Sequence, residues 1–326
     1  MLITLRSEKG IGEAARTTDT RMASKPVTLQ IKSRGKRIPK LPRDTSIYIQ
    51  GSTSDLYHRI AAESKVDIHR LRITTEDGKF IPNEKTSTVA SFNLKDGSVI
   101  QVKDLGLQIA WQTVFIIEYL GPLLIHPLFY FARPYIYKNA DHEPSQLQTL
   151  SCLLLTIHFL KRELETIFVH RFSNATMPVL NIFKNSGHYW VLGGLLIAYF
   201  IYSPNAPTAA PINPVLDYPA IALFIIGELG NLNTHLVLRG LRSAGGTERG
   251  IPKGLGFDWV TCPNYFFEVV AWVGILIVTR HWSTLLFVVT AGATMAVWAQ
   301  KKERRYRKEF GASYKKKRCG IIPFVI

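Results

Sequence analysis

The feature that most constrains this chain is a series of apolar runs, with the charge displaced to the two ends of the sequence. Six stretches are candidate membrane spans: 107–131, 147–160 with a possible extension through 169, 188–202, 220–238, 265–278 and 282–298. A spanning helix needs about 20 largely apolar residues, because the hydrocarbon core is about 30 Å thick. The first run carries Pro122 and Pro127 and is expected to kink or break there. Lys+Arg exceed Asp+Glu by 19 to 12 up to residue 104, by 11 to 10 over 105–300, and by 10 to 2 from residue 301 onward. The middle is therefore almost neutral and both ends are basic. This segregation reconciles 47% hydrophobic residues with 20% charged ones. It excludes a disordered chain, a disulfide-built secreted module and a simple basic nucleic-acid binder.

The expected architecture is an α-helical polytopic membrane bundle of six or seven transmembrane helices behind an N-terminal α+β domain. Residues 1–21 are polar, contain no apolar signal-like core and read as a flexible extension. Residues 22–104 read as a cytosolic domain. Val27-Thr-Leu-Gln-Ile alternates like a half-buried strand, Ile47-Tyr-Ile is a second, and Ser52-Thr-Ser-Asp opens a helix with Leu56 and Ile60 on one face. Leu71-Arg-Ile and Val99-Ile-Gln-Val complete a β-β-α-β-β order that resembles ubiquitin. The segment runs straight into apolar sequence, which argues for a docking or packing domain and against a conjugated modifier. Residues 105–326 are the membrane-embedded domain. Its basic tail, Lys301-Lys-Glu-Arg-Arg-Tyr-Arg-Lys, is expected on the cytosolic side by the positive-inside rule. With the head also cytosolic, the span number is even. The tail suits an anionic lipid surface, a nucleotide phosphate or the diphosphate of a CoA.

Ionisable groups lie within or beside the apolar runs: Lys161, Arg162, Glu163, Glu165, His170, Glu228, His235 and Glu268. Such groups are costly at membrane depth and normally face a bundle interior, so they point to a polar site inside the helices. Asn231, His235, Arg239 and Arg242 recur at spacings of three and four, one helical face suited to phosphate and carboxamide recognition. Tyr265 and Glu268 stand three apart after Pro263, which starts a helix. Gly254-Leu-Gly-Phe lacks the third glycine and the βαβ setting of a dinucleotide fingerprint. Cys152, Cys262 and Cys319 are scattered, and no Cys/His spacing suits a metal, so no metal is expected.

Four stretches together carry a resemblance to the steroid 5α-reductase superfamily, and within it to the very-long-chain trans-2-enoyl-CoA reductases. They are Lys161-Arg-Glu-Leu-Glu-Thr-Ile-Phe-Val-His with Thr176-Met-Pro, Gly230-Asn-Leu-Asn-Thr-His, Ile251-Pro-Lys-Gly-Leu-Gly-Phe with Cys262-Pro-Asn-Tyr-Phe-Phe-Glu, and Lys302-Glu-Arg-Arg-Tyr with the closing Ile321-Ile-Pro-Phe. The resemblance implies NADPH-dependent reduction of an acyl-CoA 2,3 double bond, the last step of fatty-acid elongation, in the endoplasmic reticulum membrane alongside other elongation enzymes. Carried over by position, Lys161 and Tyr265 are the implied catalytic residues, with Glu165 as an orienting partner. Asn231, Arg242, Asn264, Glu268 and Tyr306 match cofactor positions; His235, Arg239 and Lys302 join them as candidates. His235 stands where steroid reductases have an acid, Tyr265 where they have Phe, and Lys302 where they have His, which disfavours a steroid substrate. A steroid or polyprenol reductase and a non-catalytic membrane scaffold are the alternatives.

Overall fold

The computed structural model describes residues 25–140, 142–172, 175–243, 250–315 and 319–322. The expected extension over residues 1–21 lies outside them. The chain divides between Leu105 and Gly106 into two compact units, each with its own hydrophobic core.

The first unit is a five-stranded sheet with one helix. Strands β1 (Pro26–Ser33), β2 (Asp44–Tyr48), β3 (Leu71–Thr75), β4 (Phe80–Ile81) and β5 (Val99–Asp104) lie in the order β2-β1-β5-β3-β4. β1 and β5 run parallel and the other pairs antiparallel. Alternation sets the faces: Leu29, Ile31, Ile73, Ile100 and Val102 turn inward onto Leu56 and Ile60 of helix α1 (Thr53–Ser64). Lys32, Arg72 and Lys103 face out. Ser52 and Asp55 form a reciprocal cap at the start of α1, satisfying donors that the first turn leaves open. The Tyr57 hydroxyl donates to Ile81 O at 2.8 Å and accepts from Ile73 N at 3.0 Å, and burial pushes this phenol up to about 12.

The second unit is helical. Its elements are α2 (Trp111–Phe131), α3 (Arg133–Ile136), α4 (Gln146–Leu164), α5 (Asn181–Ser186), α6 (Ile197–Ile201), α7 (Pro214–Gly240), α8 (Pro263–Thr279) and α9 (Trp282–Phe310). Wider, π-type turns prolong α4 over Glu165–Val169 and join α5 to α6 over Gly187–Leu196. Residues before Trp111 do not join α2. Gln108–Ala110 forms strand β6, paired with β7 (Thr176–Pro178), because the alternating Gln-Ile-Ala finds an extended partner in Thr176-Met-Pro.

The expected break in α2 does not occur. The helix runs through Pro122 and Pro127. A proline has no N–H to give the carbonyl one turn back, and neighbouring elements can supply a donor there. The Trp190 indole donates to Ile117 O at 2.8 Å, beside the turn that Pro122 interrupts. Gly121 permits this approach, since a Cβ there would meet the Trp190 ring at 2.2 Å.

Among the described helices three are long and apolar enough to cross a membrane, α2, α7 and the run Trp282–Ser313, and α8 is apolar but shorter. Polarity is inverted relative to a soluble bundle. Leu120, Leu124, Leu128 and Phe131 of α2 and Ile225, Ile226, Leu229 and Leu236 of α7 are exposed, while Glu118, His126, His158, Glu165, Glu228, Asn231 and His235 are buried. Outward apolar stripes suit lipid, where hydrocarbon costs nothing to expose.

Candidate active site

Two helices carry the same polar spacing. His158, Lys161 and Glu165 stand at i, i+3 and i+7 along α4 and its extension, and Glu228, Asn231 and His235 do so along α7. Each member meets its counterpart 70 residues on. His158 Nδ1 lies 2.6 Å from Glu228 Oε1, Lys161 Nζ donates to Asn231 Oδ1 at 2.7 Å, and His235 Nδ1 lies 3.1 Å from Glu165 Oε1. A constant offset means that α4 and α7 run parallel, with one polar stripe on each facing the other.

Helix α8 closes the third side. It runs antiparallel to α7, since Gly227 abuts Ala271, Gly230 abuts Phe267 and Gly274 abuts Ala220. A Cβ on Gly227 would stand 2.3 Å from Ala271 N, so only glycine allows this spacing. The close packing brings the first turn of α8 to Asn231. Its side-chain nitrogen donates to Asn264 O at 2.9 Å and to Glu268 Oε2 at 3.1 Å. Glu268 Oε1 also lies 3.4 Å from His158 Nε2.

The result is one buried network. Lys161 makes three contacts: Asn231, Glu228 Oε2 at 2.9 Å and Glu165 Oε1 at 3.3 Å. Arg162 Nη1 donates to Glu165 Oε2 at 2.7 Å and Nη2 to the Tyr119 hydroxyl at 2.9 Å. Glu165 thus receives two cations, which keeps a carboxylate tolerable at this depth. Glu165, His170 and His235 present ligand atoms within 4.8 Å of one another. That trio reads as part of the ion-pair network, because the two cations already on Glu165 oppose a third positive charge.

Tyr265, Lys302 and Tyr306 form a neighbouring group. Tyr265 sits in the first turn of α8, half-buried, with its ring 6.4 Å from Trp298 and packed near Cys262, Ala299 and Ile321. Among the described residues its hydroxyl has no hydrogen-bond partner. Lys302 lies over the Tyr306 ring at 5.7 Å, and Tyr306 packs on Tyr314 at 5.3 Å. Glu303 accepts from Thr261 Oγ1 at 2.7 Å and from Tyr314 at 2.6 Å. Burial, with the Glu303 carboxylate beside it, raises the Tyr314 phenol above its usual range and keeps it a donor. Cys319 pairs with Val260, and Cys262 N donates to Gly320 O at 2.9 Å. The tail thereby returns to the start of α8 and packs Ile321 beside the Tyr265 group.

Arg239 and Arg242 mark the end of α7. Arg242 lies just beyond the helix and exchanges hydrogen bonds with Arg171, each guanidinium donating to the other's carbonyl, while Arg171 also donates to Arg239 O at 3.3 Å. Asn231 and His235 therefore turn into the bundle, and the arginines of the same predicted face collect at its end. Lys161, Glu165, Asn231, His235, Asn264 and Glu268 come together in the network. Tyr265, Lys302 and Tyr306 lie next to it.

His158 and Tyr119 are part of the network without having stood among the expected site residues. The i, i+3, i+7 repeat of α4 contains a signal for His158. Nothing in the sequence marks Tyr119, which is one of many aromatics in an apolar run.

Asn264 Oδ1 is buried and has no partner among the described residues. A buried acceptor left open beside such a network suits an amide donor of a bound molecule.

Residues 175–326 match the family described as 3-oxo-5-alpha-steroid 4-dehydrogenase. A Schizosaccharomyces pombe protein provisionally named an enoyl reductase is 42% identical over 308 residues, covering 92% of this chain and 100% of its own length. The very-long-chain enoyl-CoA reductase of Dictyostelium discoideum is 41% identical over 281 residues, covering 84% of this chain and 92% of its own. A Caenorhabditis elegans protein, provisionally named a very-long-chain enoyl-CoA reductase, is 40% identical over 266 residues, covering 78% and 84%. Identity at this level over most of both chains is the mark of common descent: the chain belongs to the very-long-chain enoyl-CoA reductase family, within the broader steroid-reductase superfamily.

Proposed function

We propose that this protein reduces the 2,3 double bond of long and very-long-chain trans-2-enoyl-CoA with NADPH, as the final step of the elongation cycle in the endoplasmic reticulum membrane. The observation that carries the reading is the paired polar stripe of α4 and α7, closed by α8, inside a bundle whose outside is apolar. A polar network inside an apolar bundle suits a substrate with a polar thioester head and a long acyl chain. The relatives' names supply the reaction class.

NADPH, when bound, supplies the hydride that adds to C3 of the enoyl thioester. The residues fit such a cofactor. Asn264 Oδ1 offers an open acceptor for the nicotinamide amide, and Arg171, Arg239 and Arg242 gather cationic groups suited to the 2′-phosphate. Lys302 and Tyr306 extend the same end of the bundle. Negative charge then develops on the thioester oxygen. Lys161 is the donor for it, and it turns toward substrate by giving up its longest contact, to Glu165 at 3.3 Å. Glu165 holds Lys161 and Arg162 in place. Tyr265, whose hydroxyl is uncommitted among the described residues, delivers the proton to C2.

The head is proposed to be a ubiquitin-like docking domain. Its parallel β1–β5 pair and β2-β1-β5-β3-β4 order support this. Six spans are proposed, with both termini cytosolic, and other elongation enzymes are the proposed partners. The basic last turns of α9 support that orientation. Full-length protein in detergent, mixed with NADPH and a long trans-2-enoyl-CoA, tests the function. Consumption of NADPH that needs the enoyl-CoA and yields saturated acyl-CoA supports it. Turnover of a 3-oxo-4-ene steroid in preference to the enoyl-CoA overturns it.

A further inference from the structure

His158 is buried at the centre of the bundle and sits between two carboxylates, Nδ1 at 2.6 Å from Glu228 Oε1 and Nε2 at 3.4 Å from Glu268 Oε1. An ionised carboxylate only accepts. The second oxygens are also engaged: Glu228 Oε2 forms an ion pair with Lys161 Nζ at 2.9 Å and Glu268 Oε2 accepts from Asn231 Nδ2 at 3.1 Å. A carboxylate stands beside each ring nitrogen, hydrogen-bonded at Nδ1 and at ion-pair distance from Nε2, and a ring with a proton on both nitrogens matches the two.

Charge placement points the same way. Glu228 and Glu268 flank the His158 ring, and of the nearby cations Lys161 faces Glu228 and Glu165 while Arg162 faces Glu165. A carboxylate at membrane depth is costly without a cation beside it, and a charged ring supplies one to Glu268. His235 is poorly placed for it. Its Nδ1 serves Glu165, and the Arg162 guanidinium stands 3.4 Å away and opposes a second positive charge on that ring. His126, on α2, is buried against Gly193 O at 2.9 Å and the Tyr202 hydroxyl at 3.3 Å, with no carboxylate in either contact. Aromatic walls, Trp272 at 5.0 Å and Phe159 at 5.0 Å, enclose the His158 ring and hold its orientation.

We infer that His158 is a standing imidazolium, a positioning residue that ties Glu228 to Glu268 and so holds Lys161 and Asn231 in their places. Its charge lets two carboxylates persist in the bundle, and those carboxylates aim the Lys161 ammonium and the Asn231 amide. It makes no contact with substrate in this role. The protonation state goes beyond the enoyl-CoA reading, and the positioning role rests on it.

The first test is nuclear magnetic resonance of the full-length protein in detergent at neutral pH with nitrogen-labelled histidine. The His158 resonances are identified as those absent from His158→Gln. If that variant does not fold, they are identified as those that change in Glu268→Gln. The expected result is a ring with both nitrogens protonated in the wild type, and loss of that form in Glu268→Gln. A His158 ring with one bare nitrogen in the wild type overturns the inference. This arm uses no substrate, so its failure is distinct from failure of the enoyl-CoA assignment. The second test compares variants in the reductase assay. His158→Gln is expected to lower kcat at least about tenfold with KM for the acyl-CoA little changed, and His158→Lys, which keeps a cation and its donors, to recover part of the loss. Equal losses in the two folded variants overturn the positioning role.

Discussion

At the scale of single residues, the proposed chemistry separates a proton donor from the network that stabilises charge. Tyr265 lies beside the network and its hydroxyl is uncommitted among the described residues, whereas Lys161 is held by one hydrogen bond and two ion pairs. Tyr265→Phe keeps the ring that packs on Trp298 and removes only the hydroxyl. Steady-state kinetics of this variant are expected to show kcat reduced by roughly 10²–10⁴, typical of a lost general acid, with NADPH affinity unchanged. A loss below about tenfold would assign Tyr265 to packing alone. Arg242 makes a different kind of prediction. It joins Arg171 at the end of α7, so Arg242→Ala is expected to raise KM for NADPH more than for NADH, because only NADPH carries the 2′-phosphate. Equal changes for the two cofactors would remove Arg242 from phosphate recognition.

At the scale of elements, the site depends on how closely α7 and α8 approach. Gly227→Val places side-chain atoms where Ala271 N already stands 2.3 Å from a Cβ, and the neighbour is backbone that cannot swing aside. Overpacking of this kind typically costs about 1–3 kcal/mol. Thermal unfolding in detergent is expected at a lower midpoint than for the wild type, with activity falling in parallel as Asn231 loses Glu268. An unchanged midpoint would contradict the packing account.

The elements differ in how far the sequence revealed them. The alternation of β1 and the period of α1 were visible in the first unit because one face of each is buried and the other wet. Apolar runs revealed the helices of the second unit but not their ends. Residues 107–110 are apolar like a helix start, and they are drawn into a strand by Thr176–Pro178, a partner more than 60 residues away. Lys161, Glu165 and Asn231 were legible as ionisable or amide groups in apolar surroundings. His158 belonged to the same i, i+3, i+7 stripe, but a single histidine in such a run is equally at home in an aromatic core. Its place became clear only when α7 brought Glu228 alongside.

At the scale of the molecule, two units with separate cores divide the labour. The head has an ordinary hydrophobic core, and the proposed chemistry is confined to the helical unit. Removal of residues 1–104 is therefore expected to leave NADPH-dependent reductase activity in membranes, measured per folded protein. Loss of NADPH binding in a well-folded truncated protein would place part of the cofactor site in the head. The central claim is that hydride reaches C3 of an enoyl thioester inside the helical unit and a separate proton reaches C2. The most direct measurement uses NADPH deuterated at the transferred C4 position with a long trans-2-enoyl-CoA in ordinary water, followed by mass spectrometry of the product. The account predicts saturated acyl-CoA carrying one deuterium, at C3, and none at C2. Saturated product without the label, or with it at C2, would contradict the account.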